Sequence, residues 1–251
     1  MFPGSARRRR RRQRRRRRRA LVLAAAIILA LAAFAETRGH GQQRTSTVSA
    51  QAPSPSGSSA PAAAAGTLTT AGQGVAWADF HGIALPVSAQ AGPHHTRDGL
   101  AWGFHDTPRG ALLAAVNIGV RTAALWGPAI YTPTVSQQVT GPGKAALLNA
   151  DSSDYAALRA AAHVQAGQPA GRAYAAEAAY LFTLWSPARA VVDIVTEGPG
   201  TSGGTVLAAT RIEVIWRGGD WQVVAPPRGD WGNAATRVTS LTGYTTFPAE
   251  R

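Results

Sequence analysis

The chain has no cysteine, only one methionine, and half as many acidic as basic residues. Without cysteine it has no disulfide bonds, no thiol nucleophile and no cysteine-ligated metal site. The absence of cysteine agrees with an exported domain whose stability does not depend on disulfide bonds.

The excess of basic residues is confined to one short segment. Residues 7–19 hold 12 of the 26 basic residues, which leaves 14 basic against 13 acidic residues in the rest of the chain. The rest is therefore close to neutral, and its charge gives no indication of a nucleic-acid-binding surface. We expect no nucleic-acid partner for the folded part.

An uncharged apolar run, residues 20–35, directly follows the arginines. Its eight strongly apolar side chains favour membrane insertion by about 4 kcal/mol. As a helix it is about 24 Å long, somewhat short for a hydrocarbon core of about 30 Å. Two interpretations stay open: an uncleaved transmembrane anchor with snorkelling arginines, or a secretory signal that ends at Ala33-Phe34-Ala35.

We favour the anchor, because twelve arginines exceed what export orientation needs. The positive-inside rule then predicts a cytoplasmic tail (residues 1–19) and an extracytoplasmic C-terminal part of a single-pass cell-membrane protein. Anionic lipid head groups are the expected partners of the arginines nearest the membrane, which are Arg14, Arg15, Arg16, Arg17, Arg18 and Arg19.

Two regions follow the apolar run. Residues 36–74 are rich in Ser, Thr, Ala, Gln, Gly and Pro, a composition that predicts a disordered stalk. Residues 75–247 are long enough for one hydrophobic core and predict a single α+β domain, with helices packed on a curved antiparallel sheet.

Sequence patterns place the elements of this domain. Thr107-Pro108 predicts a helix start and Gly127-Pro128 its end, and a second helical region covers residues 144–165 with a break near Asp151-Ser152. Four strands are predicted in "AYAAEAAYLFTLW", "RAVVDIVTE", "TVLAATRIEVIW" and "DWQVVAP", the last two joined by the Arg217-Gly218-Gly219 turn. The apolar runs "HGIALPVS" and "GLAWGF" are shorter strand candidates.

These motifs resemble a known fold and a known class of protein. The element order and the ending "ATRIEVIWRGGDWQVVAPP" resemble the nuclear transport factor 2-like fold. "GLAWGFHDTPRGALLAAVNIGVR" and "RGDWGNAATRVTSLTGYTTFP" are similar to exported proteins encoded with conjugative elements of high-GC Gram-positive bacteria. The resemblance implies a bitopic assembly subunit of a type IV secretion or conjugation machine.

Few residues indicate chemistry, and we predict no catalytic residue, cofactor or metal ion. The densest group of ligand-type side chains is His94, His95, Asp98, His105 and Asp106. Its spacing lacks the helical pattern of a zinc motif, and the surrounding Gly and Pro favour a solvated loop over a metal site.

The predicted strands carry two acids that an enzyme could use. Asp193 and Glu213 lie in alternating patterns and are expected on the solvent face, with a cavity acid or base as the alternative. The lone His81 and His163 have no identifiable partner in the sequence. Asn117 interrupts an apolar helix face, which predicts a buried polar contact.

Three tryptophans are candidates for a protein interface, where this residue is enriched. Trp231 comes first, followed by Trp221 and Trp216 beside the tight turn. The function expected from the whole sequence is a non-catalytic, membrane-anchored component of a conjugative transfer or secretion apparatus that contacts other subunits or itself. The alternative is an exported small-molecule-binding protein or an enzyme that uses a cavity between helices and sheet.

Overall fold

The structure, a computed structural model, describes residues 68–97, 99–200 and 203–249. The predicted tail and apolar run lie outside these residues, as does the stalk up to residue 67. Residues 68–74, which the sequence assigns to the stalk, instead pack on the domain. Gly72 N donates to Tyr180 Oη at 2.8 Å, and Arg109 Nε donates to Ala71 O at 3.0 Å.

Two small hairpins precede the helices. β1 (Ala76–Phe80) pairs with β2 (Ile83–Val87), and β3 (His95–Arg97) pairs with β4 (Leu100–Trp102), both antiparallel. The patterns around β2 and β4 predicted strands there. Their partners were not predicted: β3 is polar and fully exposed, and β1 is mostly exposed, with only Trp77 and Phe80 partly buried.

The first helix starts where the sequence predicts. In α1 (Pro108–Arg121) the Thr107 side chain caps the N-terminus by accepting from Gly110 N, and Pro108 occupies the first helical position. The helix ends at Arg121, six residues before the predicted stop at Gly127, and a short 3-10 turn (Ala124–Trp126) follows. Asn117 is buried and donates to Pro86 O at 2.8 Å, as the sequence predicted.

Two further helices correct the sequence reading. Gly127-Pro128 ends one segment but also begins α2 (Pro128–Gln138), because proline is favoured at a first helical position. α3 (Lys144–Ala162) runs without the break expected near Asp151. Leu147, Asp151, Tyr155 and Leu158 form one buried stripe at helical spacing, and that stripe packs the helix along its length.

A seven-stranded mixed sheet forms the other layer. The chain order is β5 (Val139–Thr140), β6 (Ala176–Ser186), β7 (Arg189–Pro199), β8 (Thr205–Arg217), β9 (Asp220–Val224), β10 (Ala235–Val238) and β11 (Thr245–Thr246). The strands lie in the order β11-β6-β7-β8-β9-β5, and β10 also pairs with β8. All pairs are antiparallel except β5 with β9.

The four predicted strands are therefore confirmed as β6 to β9, and so is the tight turn. Arg217 pairs with Asp220, and Gly218 and Gly219 between them have φ of 65° and 83°. A two-residue turn of this kind needs positive φ at both positions, which glycine adopts at no steric cost.

The two faces of the sheet differ. The inner face packs against α1 and carries buried side chains such as Val192, Ile194 and Val214. The outer face, on the opposite side, carries Val191, Asp193, Arg211 and Glu213, and only one end of it is covered by the C-terminal segment.

Candidate functional site

Asp193 and Glu213, the two strand acids singled out in the sequence, lie on the outer face, away from the helices. Arg211 binds Asp193 through two parallel hydrogen bonds, Nε to Oδ1 at 2.8 Å and Nη2 to Oδ2 at 2.9 Å. Arg189 Nε donates to Glu213 Oε1 at 2.7 Å. Both carboxylates are thus engaged in ion pairs. The predicted face of the sheet is confirmed for both residues, but only Glu213 is partly exposed, whereas Asp193 is buried on that face.

A broad trough lies over this face. It has a volume of about 890 Å³ and runs between the two ion pairs and the segment that carries Arg228 and Thr236. Leu181 and Leu184 of β6 lie on the same face, opposite Asp193 and Val191, and are 37% and 39% exposed. The outer face therefore combines exposed aliphatic side chains with charges of both signs.

A carboxyl group that the sequence analysis missed lies on the inner face. Glu177 sits near the start of β6, opposite Thr196, and is 8% exposed. The register of β6 shifts between Glu177 and Ala179, because Ala178 is an extra residue on that strand. Without this bulge, Glu177 would share the outer face with Ala179; the bulge turns its side chain toward α1.

The Glu177 carboxyl has no hydrogen-bond partner among the described residues, and its Oε2 is sealed from solvent. Burial raises the pKa of Glu177 from 4.5 to about 8, since no positive charge compensates the lost hydration. The protonated carboxyl that results carries a donor and an acceptor without partners. A buried polar group in this state calls for a water molecule or a ligand.

Glu177 lines a small cavity of about 60 Å³, which we call the Glu177 cavity. Its walls come from the end of α1 and the inner face of β7 and β8, and its other polar side chains are Thr122, Thr196 and Thr210. The volume corresponds to about two water molecules. The arrangement offers hydrogen bonds to a small polar group and surrounds it with apolar walls.

The three candidate interface tryptophans do not lie together. Trp231 is half-buried at the Glu177 cavity, where its Nε1 donates to Thr122 Oγ1 at 2.9 Å. Trp221 is 1% exposed, and its Nε1 donates to His105 O at 2.9 Å. This burial removes Trp221 from any docking surface. Trp216 is half-buried and packs edge-on against Trp221, with ring centroids 5.4 Å apart.

In the histidine-rich segment, which includes β3, the imidazole rings pack against one another or against a tryptophan. The rings of His94 and His105 are 5.0 Å apart, and His95 stacks on Trp102 at 5.2 Å. Asp98 lies outside the described residues. Within the part of the chain that the structure describes, no group of three or more His, Asp or Glu side chains is arranged to hold a metal ion.

The remaining lone histidines have structural positions. His81 adopts a positive φ of 54° in the turn between β1 and β2 and stacks on Trp126. His163 ends α3 in the left-handed conformation. Neither lies at the trough or at the Glu177 cavity.

The described residues thus define an α+β domain with helices on one face of a mixed sheet and a charged trough on the other. Residues 40–246 match the family described as a domain of unknown function, DUF8175, and the chain belongs to that family. No curated protein and no solved structure matches the chain. Across residues 68–97, 99–200 and 203–249, no helix is both long and apolar enough to cross a membrane.

Proposed function

We propose that the protein is a non-catalytic structural subunit of a conjugative transfer or secretion apparatus. In this proposal residues 20–35 anchor it in the cell membrane, and the α+β domain is a nuclear transport factor 2-like domain on the outside. The domain contacts other subunits or a second copy of itself. The fold part of the proposal is supported by helices that precede an antiparallel meander and cover one of its faces.

The main structural support for the assembly role is the outer face of the sheet. Among the described residues, Leu181 and Leu184 are the most exposed large aliphatic side chains. Both lie on this face beside the trough. Exposed apolar side chains rimmed by charges are typical of protein docking surfaces. Trp231 and Trp216, which are half-buried, stay secondary candidates.

The membrane part rests on the sequence. Twelve arginines followed by an uncharged apolar run favour a cytoplasmic foot on anionic lipid and an outward-facing domain. The first test is membrane fractionation of the native protein with intact-mass measurement. We expect the full 26.1 kDa chain in the membrane fraction after a high-salt wash. A mature chain that begins near Glu36 in the medium would overturn the anchor.

The docking surface is tested in a donor strain. The double variant Leu181→Lys, Leu184→Lys places two charges on the outer face, and we expect it to reduce transfer frequency while the protein level stays constant. Tyr174→Lys is the matched control, because Tyr174 is 63% exposed and lies outside the sheet. Equal transfer by both variants would remove the outer face as the docking surface.

A second candidate function, a small-molecule-binding protein or enzyme, is favoured by the Glu177 cavity. Its unpaired carboxyl and its apolar walls are features of ligand sites. Native mass spectrometry of the purified full chain tests this function. A retained small molecule that is lost in Glu177→Gln would support it, and a ligand-free wild-type chain would favour the structural role.

A further inference from the structure

The guanidinium of Arg121 lies almost entirely inside the domain, at the C-terminal end of α1. The residue is 5% exposed, and burial lowers its pKa from 12.5 to about 10. The group keeps its positive charge at neutral pH, so the fold holds a cation in a place with little water. Holding an ion this way costs free energy unless another group compensates its charge.

Protein groups satisfy one edge of this guanidinium. Nη1 donates to Asn117 O at 2.8 Å and to Asn117 Oδ1 at 3.0 Å. The ring of Phe80 lies under the group, with Cζ 4.2 Å from the ring centroid. Asn117 is itself fixed by hydrogen bonds to Pro86 O and Leu113 O. The orientation of the Arg121 side chain is therefore set before any ligand arrives.

The opposite edge, formed by Nε and Nη2, has no acceptor among the described residues. Neither atom is sealed from solvent, and Arg121 lines an open pocket of about 270 Å³. The ion pairs among the described residues do not include Arg121. Arg121 thus combines an unpaired guanidinium edge with a position in the wall of this pocket.

Arg211 of the same molecule shows what the Nε–Nη2 edge of an arginine binds. Its Nε and Nη2 hold the two oxygens of Asp193 at 2.8 and 2.9 Å. The two parallel N–H donors of this edge form a fork that matches the spacing of carboxylate oxygens. Charge-assisted hydrogen bonds of this kind are about twice as strong as neutral ones. Arg121 presents the same fork with far less exposure to water, where such bonds are stronger.

The rest of the pocket indicates the body of the ligand. Its apolar lining side chains are Ala78, Phe80, Leu85, Val87, Pro93 and Leu100. Its volume equals that of about nine water molecules, which suits a small organic acid. Asp79 also lines the pocket, and its Oδ1 accepts from Gly82 N at 3.1 Å. Arg97 lines the pocket as well, so its charged side chains are two arginines and one carboxylate. One carboxylate head group balances this net positive charge, whereas a more highly charged phosphate exceeds it.

We propose that the pocket between the β1–β2 hairpin, the β3–β4 hairpin and the end of α1 binds a small monocarboxylate with an apolar body, through the Nε–Nη2 edge of Arg121. Asn117 and Phe80 act as positioning residues that hold the guanidinium in place. The Arg121 pocket is separate from the outer face and from the Glu177 cavity. This inference therefore goes beyond the assembly role and does not depend on it.

The test is calorimetric titration of the full chain in detergent with sodium benzoate, at constant ionic strength. Benzamide is the matched control, because it has the same shape without the charge. We expect benzoate to bind and benzamide to bind at least about tenfold more weakly, since the amide NH2 cannot accept the second hydrogen bond and the remaining carbonyl oxygen carries no charge. Equal binding of the two compounds would overturn carboxylate recognition.

Three variants locate the site. Arg121→Gln and Arg121→Lys remove the fork, the second with the charge retained, and both should weaken benzoate binding at least about tenfold. Arg211→Gln, on the outer face, should bind like the wild type. Circular dichroism and thermal melting verify that each variant is folded.

Asp79→Asn keeps the proposal testable if the Arg121 variants fail to fold. Removing this negative charge from the pocket should strengthen benzoate binding about threefold or more. Absence of benzoate binding to both the wild type and Asp79→Asn would overturn the proposal, as would unchanged binding in a folded Arg121→Gln variant.

Discussion

Asp193 and Glu177 lie on opposite faces of one sheet and illustrate two fates of a carboxyl group. Asp193 on the outer face is 9% exposed and accepts two hydrogen bonds from Arg211. Glu177 on the inner face has no partner, and burial raises its pKa to about 8. The two residues are similarly buried, so the position of a side chain relative to the bulge decides whether a buried carboxyl group meets a guanidinium partner.

Removing the Glu177 carboxyl should produce the largest effect, and it should depend on pH. The pKa of Glu177 is higher in the folded state than the unfolded 4.5, so the folded state binds more protons between pH 4.5 and about 8. Stability from this group falls as pH rises through that range, by at most about 5 kcal/mol. We expect Glu177→Gln to be nearly neutral at pH 5 and stabilising at pH 9, measured by urea unfolding.

Asp151 provides the control for this pH dependence. Burial, with the nearby charge of Asp154, raises the pKa of Asp151 to about 8, so it contributes with the same sign. Glu177→Gln should therefore reduce the slope of stability against pH without abolishing it, and adding Asp151→Asn should flatten it further. An unchanged slope in the double variant would contradict the burial of both acids.

Two adjacent valines compare how much burial on each face of the sheet contributes to stability. Val192 is fully buried on the inner face, whereas Val191 lies on the outer face. We expect Val192→Ala to reduce the free energy of unfolding by about 2 kcal/mol, from lost burial and the cavity left behind. Val191→Ala should cost less than about 1 kcal/mol, mostly from strand preference. Equal losses would mean that the outer face is covered.

The Arg211–Asp193 pair should contribute little to folding. The Asp193 side chain is only 13% exposed, but that of Arg211 is 60% exposed, so solvent screens the interaction from the guanidinium side despite its good geometry. A double-mutant cycle with Arg211→Ala and Asp193→Ala should give a coupling of about 1 kcal/mol or less. A markedly larger coupling would show that the outer face is drier than its exposure indicates.

The smallest effect is expected for Arg189 and Glu213. Both side chains are at least partly exposed, and Arg189 donates through a single hydrogen bond. We expect the coupling in a cycle of Arg189→Ala and Glu213→Ala to fall within experimental error and to be insensitive to moderate salt. A salt-dependent coupling would indicate a larger charge network across the trough.

Several features of the fold could be predicted because their causes are local. The Thr107 cap with Pro108, the Gly218-Gly219 turn and the alternation in β7 and β8 each depend on residues a few positions apart. The start of α2 was missed because the Gly127-Pro128 pair ends one helical segment and begins another. The predicted break in α3 was wrong because a buried stripe outweighs the capping preference of Ser152.

The candidate sites could not be predicted in the same way. Glu177 reaches the inner face only because Ala178 is extruded from the pairing of β6 with β7. Arg121 is a basic residue in a helical last turn, where the sequence alone favours solvent. Only the packing of the β1–β2 hairpin against α1 buries it under Phe80.

The sequence by itself determined the chain's division into an arginine-rich segment, an apolar run, a polar segment and an α+β domain, because composition and short-range periodicity act along the chain. It also determined which strands pair in the meander. Only the tertiary structure decided which charged groups lose their water. Burial and pairing depend on residues such as Phe80 and Arg121, or Glu177 and Thr196, that are distant in sequence and meet only in the folded domain.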